Sequence, residues 1–296
     1  MAEETKIPDP PVITEEDLNK CRKTGDFCPV LFEWYKYVGS LCSFYSCIRQ
    51  DSPAIRSIPP IQYYILVGLL NRCSRLMLSN VALSHEGLFG ETTNIIDRCI
   101  TESATKIAWL CHHRKDDYFN RLLSEGLKTE LEFKKVIEKA INDRGKPIKI
   151  EERMLKSIQN HINSSGLSES EIETAKKLPD MAAMIESLGY DRLMYLVIQR
   201  IGSHHVHGTW PSLRLHYLEE ENGILHPRDH DCETHVNQYV FIPILVLTAM
   251  KSFIEFTCKD EADREAFQQV PNAIEEEIMK INEEVVGEDF EHVSEI

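Results

Sequence analysis

Four side chains in one stretch have the types and spacing for phosphoryl chemistry. In DRLMYLVIQRIGSHHVHGTW, residues 191–210, the side chains of Arg200, Ser203, His204 and His207 fall within about a third of the circumference of an α-helix. A fixed guanidinium can hold a phosphate and stabilise the charge that develops on it, and an imidazole near neutrality can move protons. RNA cleavage by such a set needs no metal, because the 2′-hydroxyl is the internal nucleophile. Ser203 is placed to orient the scissile phosphate, and His204 is a reserve for the proton transfer. His205 falls away from the four. Leu193, Leu196 and Val197 supply the apolar surface of the same helix, so the polar set is expected to face the interior, where polar groups are costly unless paired.

A second pair sits upstream. Arg98 and Glu102 are four apart, hence neighbours on one helix face, and are expected to fix the geometry of the first set. The competing interpretation is structural: Arg98–Glu102 and Ser203–His207, on facing helices, would form one satisfied buried network. Histidines crowd the region, seven of the chain's twelve lying between 204 and 235. His226, His230, Cys232 and His235 could suit zinc, but their spacing fits no zinc pattern. Zincin, Walker A and dinucleotide signatures and the GxSxG elbow are absent, so neither a metal nor a cofactor is expected.

The elements that must position these residues read as helices. Residues 1–13 hold three prolines and form an extended arm. Thr14 with Asp17 caps a short helix from about 15. Helices are expected over 30–49, with Gly39 a weak point, and over 61–84 and 92–113. Residues 50–60 are a Pro-marked connector, and 86–90 a turn with two glycines. From about 117 to 178 the sequence becomes a charged helical hairpin, broken at Arg144-Gly145-Lys146-Pro147 and again at 163–166. Ser168 and Glu171 make a capping box for a further helix, and a short one precedes Gly189. The Glu219–Gly223 segment is a turn, 224–235 a polar loop, and 234–257 a last long helix with Pro243 in it. No stretch alternates long enough to predict a strand.

The expected architecture is all-α: an up-and-down bundle with a charged hairpin insertion and acidic termini. Its parts are an arm and helix at 1–60, a bundle core at 61–258 and an acidic tail at 259–296. The net charge of −15 belongs to the ends, since residues 1–17 carry −5 and 259–296 carry −10. The body is balanced, so composition neither excludes an anionic substrate nor steers one in. The apolar run 239–250 is shorter than the roughly 20 residues a bilayer needs, so no membrane is expected. Nine scattered cysteines without a CxxC, and no secretory leader, point to reduced thiols and a cytoplasmic location.

At these residues the chain resembles an uncharacterised, mostly bacterial all-helical family. The shared pattern is Arg-x3-Glu at Arg98 and Glu102, then an aromatic and Ser-x3-His-Gly at Tyr195, Ser203, His207 and Gly208, with Arg72 in the preceding GLLNR helix. It spans about residues 61–255 and implies fold but little chemistry. More distantly, Arg200-x6-His207 is similar to the Arg-x4-6-His motif of HEPN ribonucleases. Those are helical bundles that dimerise to place two motifs in one cleft, many of them in toxin–antitoxin or antiviral systems. One position departs from that motif: Gly202 stands where a polar residue is frequent. The function expected from residues and resemblance together is a metal-independent endoribonuclease, a defence or stress effector acting on RNA as a homo-oligomer. The alternatives are a non-catalytic helical module that binds a partner protein and, more weakly, a metal-dependent hydrolase using the 226–235 loop.

Overall fold

A computed structural model describes residues 6–85 and 88–286, with the side chains of 85 and 197–201 outside that description. The fold is all-α apart from one small hairpin. The chain divides into two compact units, one from Met1–His112 with Met181–Ile296, the other His113–Asp180.

In the larger unit, α1 (Glu15–Thr24) starts at a Thr14–Asp17 capping box and stops at Gly25, a left-handed residue with φ of 72°. Helix α2 (Cys28–Ser46) buries Trp34, Tyr35, Tyr37 and Tyr45. It lies against α3 (Pro60–His85), and Gly39 is what allows the approach: a Cβ there would stand 3.2 Å from Met77 Cβ. The connector between α2 and α3 is tied down, because Arg56 N–H donates to Thr257 O at 2.9 Å and Lys259 N–H to Ala54 O at 2.8 Å. Helix α4 spans Gly90–His113. Residues 86 and 87 of the expected glycine turn lie outside the described residues.

Helices α5 (Asp116–Arg144), α6 (Lys149–Ser165) and α7 (Glu169–Thr174) make the second unit. Its charged surface encloses a core of its own, Leu127, Leu131, Ile137, Ile158, Ile162 and Ile172. Apolar residues that look isolated in sequence recur on one face of each helix, which suffices for a small core. Lys134–Glu169 and Lys135–Glu173 pairs, both 2.6 Å, join α5 to α7 on the outside.

The chain re-enters the larger unit at α8 (Met181–Ser187), whose Ser187 Oγ accepts from Trp109 Nε1 of α4 at 2.9 Å. Then come α9 (Arg192–Val206), a single turn α10 (Trp210–Ser212) and a π turn, Leu213–Tyr217. Two strands follow where sequence suggested a turn and a loop: β1 (Leu218–Glu221) pairs antiparallel with β2 (Ile224–Pro227). Asn222 and Gly223 have φ of 54° and 78°. That is the two-residue Asn-Gly connection whose twist suits a hairpin. The strands are short and nearly all exposed, so no alternation marks them.

Helix α11 (Val236–Thr257) is apolar and packs on α2 and α12 (Glu261–Val286). By length and composition it could cross a membrane, but Ile242, Val246, Leu247, Met250 and Phe253 are buried within the unit. Helix α12 belongs to the expected acidic tail, yet Ile274, Ile278 and Ile281 form a buried stripe at helical spacing. Burying each contributes roughly 1.5–3 kcal/mol. Acidic residues occupy the other faces, where Glu284 accepts two hydrogen bonds from Arg22 at 2.7 and 2.8 Å. All nine cysteines are free thiols.

Candidate functional site

The crossing of α9 over α4 decides which histidine faces inward. A Cβ at Gly202 would overlap Arg98 Cβ and stand 3.0 Å from Arg98 Cγ and 3.2 Å from Asn94 O. Only glycine lets the two backbones meet there. One turn past Gly202 on the same face is His205, and two turns before Arg98 on α4 is Glu91. The antiparallel crossing therefore brings His205 Nδ1 to 4.0 Å from Glu91 Oε1, each side chain about one-tenth exposed.

Around this contact lies a polar network. Ser212 Oγ donates to Glu91 Oε1 at 2.5 Å and stands 3.3 Å from His205 Nδ1. The Tyr217 hydroxyl donates to Glu91 Oε2, and that bond pushes the phenol up to about 12. His216, adjacent in sequence, is buried and meets Asp231 Oδ1 through Nδ1 at 2.5 Å. Its ring lies edge-on to that of His205, with centroids 4.9 Å apart. The extra residue in a π turn changes facing from one position to the next, and such turns often mark functional sites. Here neighbours 216 and 217 both enter the network. Burial pushes the His205 imidazole below its usual range and His216 pushes the same way, while Glu91 and Asp231 pull it up.

The loop before α11 closes the network from the other side. Gly90 N–H donates to Cys232 O at 2.8 Å, and Glu91 N–H to Asp231 Oδ2 at 3.1 Å. A Cβ at Gly90 would be 2.7 Å from both Cys232 O and Glu233 O. A carboxylate and carbonyls at the N-terminus of α4 satisfy its first amides and suit its dipole. Arg228 Nη1 donates to Leu215 O at 2.6 Å and to Cys232 Sγ at 3.1 Å.

The residues singled out from sequence are placed differently from expectation. His207 is the C-cap of α9 and is exposed, not on an interior face. His204 is half-buried, its Nδ1 2.7 Å from Thr209 Oγ1, and Ser203 is also half-buried. The Arg200 side chain lies outside the described residues. Arg98 Nε donates to Glu102 Oε1 at 2.9 Å, a partly exposed pair at 23% and 38%. Its link to the site is through Arg98 Cβ against Gly202, and so the pair is not one buried network with Ser203 and His207. Arg72 Nη1 donates to Cys99 O at 3.2 Å and Ser103 Oγ at 2.6 Å, bracing α4 from α3. Of the suggested metal quartet only Cys232 joins this network. His226 is exposed, His230 pairs with Asp229, and His235 caps α11 by accepting from Asn237 N–H at 3.2 Å.

Sequence reasoning missed Glu91, His205, Ser212, His216, Tyr217 and Asp231. The available signal was Gly202: a glycine inside a helix marks a close approach, and His205 is three residues on. A further set was also missed. Asp97 of α4 is buried, accepting from Asn80 Nδ2 at 2.7 Å, Tyr35 OH at 3.3 Å and Gln238 Nε2. Burial raises its carboxyl to about 7, although all three hydrogen bonds oppose the rise. A surface depression of about 820 Å3 beside Arg49, Arg56 and Tyr64 includes no residue of either set.

A family model described as a family of unknown function (DUF5677) matches residues 63–225, more than half of the chain. No curated protein and no solved structure matches.

Proposed function

The chain belongs to this family of unknown function, and we propose that it is a HEPN-like, metal-independent endoribonuclease cutting at the C-terminal end of α9. The supporting observation is that His207 is open to solvent at the helix C-cap, with His204 one turn back held by Thr209. Exposure leaves the His207 imidazole within reach of a polynucleotide. Arg200 holds the scissile phosphate and Ser203 hydrogen-bonds it. His207 takes the 2′-hydroxyl proton as the 2′-oxygen bonds to phosphorus; the P–O5′ bond breaks, and the 5′-oxygen takes a proton from a second imidazole, His204. The products are a 2′,3′-cyclic phosphate and a 5′-hydroxyl end. Arg98 and Glu102 act by fixing the crossing at Gly202.

The active form is a homo-oligomer. Leu193, Leu196, Val206, Trp210, Leu215 and Tyr217 are exposed along α9, α10 and the π turn, apolar side chains that a second copy would cover. Work on cytoplasmic RNA, as a defence or stress effector, is the setting this chemistry suits. The same surface favours a second reading, a non-catalytic module that binds a partner protein. Purified protein incubated with single-stranded RNA, with and without EDTA, separates the possibilities. Cyclic-phosphate ends that form in EDTA and disappear with His207→Ala are the expected result. Cleavage unaffected by His207→Ala, or cleavage that leaves no cyclic phosphate, would overturn it, and self-association without cleavage would favour the module.

A further inference from the structure

We infer that His216, Asp231 and Cys232 form a zinc site, separate from the proposed cleavage chemistry, that clamps the π turn to the loop entering α11. One ring nitrogen, one carboxylate oxygen and the sulfur of these residues lie within 4.8 Å of one another. Ligand atoms on tetrahedral zinc stand roughly 3.5 Å apart given its bond lengths, so side-chain adjustments of about 1 Å close the set. One imidazole, one carboxylate and one thiolate suit zinc, leaving a fourth position for solvent.

Three features favour an ion over an ordinary polar cluster. First, the His216 side chain is 3% exposed, and its Nε2 is buried without a partner among the described residues. The imidazole is thus held out of solvent beside Asp231, where zinc would take the place of the proton that Nδ1 and the carboxylate share. Secondly, two carboxylates gather here beside the Cys232 sulfur. Among the described residues the buried Glu91 carboxylate takes its hydrogen bonds from the Ser212 and Tyr217 hydroxyls. Asp231 takes its own from His216 and the backbone N–H groups of Glu91 and Cys232. A divalent ion, together with the Arg228 guanidinium that already donates to Cys232 Sγ, would offset both carboxylates and the thiolate that zinc binding itself creates. Thirdly, the scaffold around the donors is fixed by backbone: Gly90 N–H holds Cys232 O, and a Cβ at Gly90 would not fit. The ligands come from the π turn and from the loop, segments with little helix packing of their own, and a metal would hold them at the strength of coordinate bonds.

The test uses the full chain, reduced and loaded with zinc or cobalt(II), then desalted. One zinc per chain is expected, and in the cobalt form a thiolate-to-metal charge-transfer band with tetrahedral visible bands. Cys232→Ser should abolish the charge-transfer band, and Cys232→Ser and His216→Ala should each lower zinc affinity at least about 100-fold, the upper end of what a merely orienting neighbour contributes. His226→Ala and His230→Ala, changes to exposed residues of the same region, should leave both readouts unchanged, which keeps the test decisive if His216→Ala folds poorly. No zinc above background, cobalt bound without the charge-transfer band, or a band that survives Cys232→Ser would overturn the site. Because zinc content and spectrum are read without RNA, loss of this site and failure of the nuclease proposal are distinct results.

Discussion

Gly202→Ala sets two effects of opposite sign against each other at one position. Intrinsic helix preference favours alanine over glycine by roughly 0.5–1 kcal/mol in a helix interior. Packing opposes it. The new methyl would overlap Arg98 Cβ and sit 3.0 Å from Arg98 Cγ and 3.2 Å from Asn94 O, whereas carbon contacts are comfortable at about 3.5–4.0 Å. The obstructing atoms are the root of a side chain and a backbone carbonyl, so none can swing aside; α9 and α4 must separate. Overpacking of this kind costs about 1–3 kcal/mol, which exceeds the propensity gain. A net loss of about 1–2 kcal/mol is expected, a fall in Tm of roughly 2–4 °C per kcal/mol for a unit of this size. Gly68→Ala in α3 is the matched control, because a Cβ there meets nothing within 4 Å. It should gain about 0.5–1 kcal/mol from propensity alone. Urea melts of the three proteins read both. If Gly202→Ala proves as stable as the parent or more so while Gly68→Ala gains, the crossing does not depend on the missing side chain and the placement of His205 loses its basis.

Asp97→Asn should change the pH profile of stability. The folded carboxyl, raised to about 7, holds a proton that the unfolded chain releases near 4; its contribution is full below about 4 and is lost as pH rises to about 7. Relative to the parent, the variant should therefore gain up to a few kcal/mol across that window in paired denaturant melts, and a pH-independent difference would refute the shift. In the second unit, Ile158→Ala removes a core side chain that is 2% exposed and should cost about 2–5 kcal/mol. Hydrogen exchange should show that loss within residues 113–180, and exchange unchanged in α5–α7 would contradict a separate core there.

The helices were legible because their stabilising features are local. Thr14–Asp17 and Ser168–Glu171 capping boxes form as the spacing requires, and α2, α3, α4 and α11 follow the 3.6-residue period. The hairpin was not, although Asn222-Gly223 carries its turn chemistry, because four-residue strands of mostly exposed acidic and apolar residues show no period. The site was legible as a neighbourhood and misread in orientation. A wheel drawn on α9 alone cannot say which face another helix will cover, and the tertiary contact at Arg98 places His205 inward and leaves His207 at the rim. His216 and Tyr217 depend on a π turn, whose single extra residue leaves no mark in a hydrophobic pattern. Asp97 shows the reverse case: a carboxyl on a buried face, paid for by partners on α2, α3 and α11 that sequence spacing cannot bring together.

The bond from Trp109 to Ser187 has a consequence for how this chain can be remodelled. It fastens the last turns of α4 to α8, the two places where residues 113–180 leave and rejoin the larger unit. Both ends of that bond belong to the larger unit, and the intervening segment carries its own core. Residues 113–180 behave as a cassette: exchanged for a short flexible bridge, they should leave the parent framework assembled, since closing a longer or shorter loop differs by only about 0.6 kcal/mol per doubling of length. A foreign domain of similar end spacing could ride on the same neck.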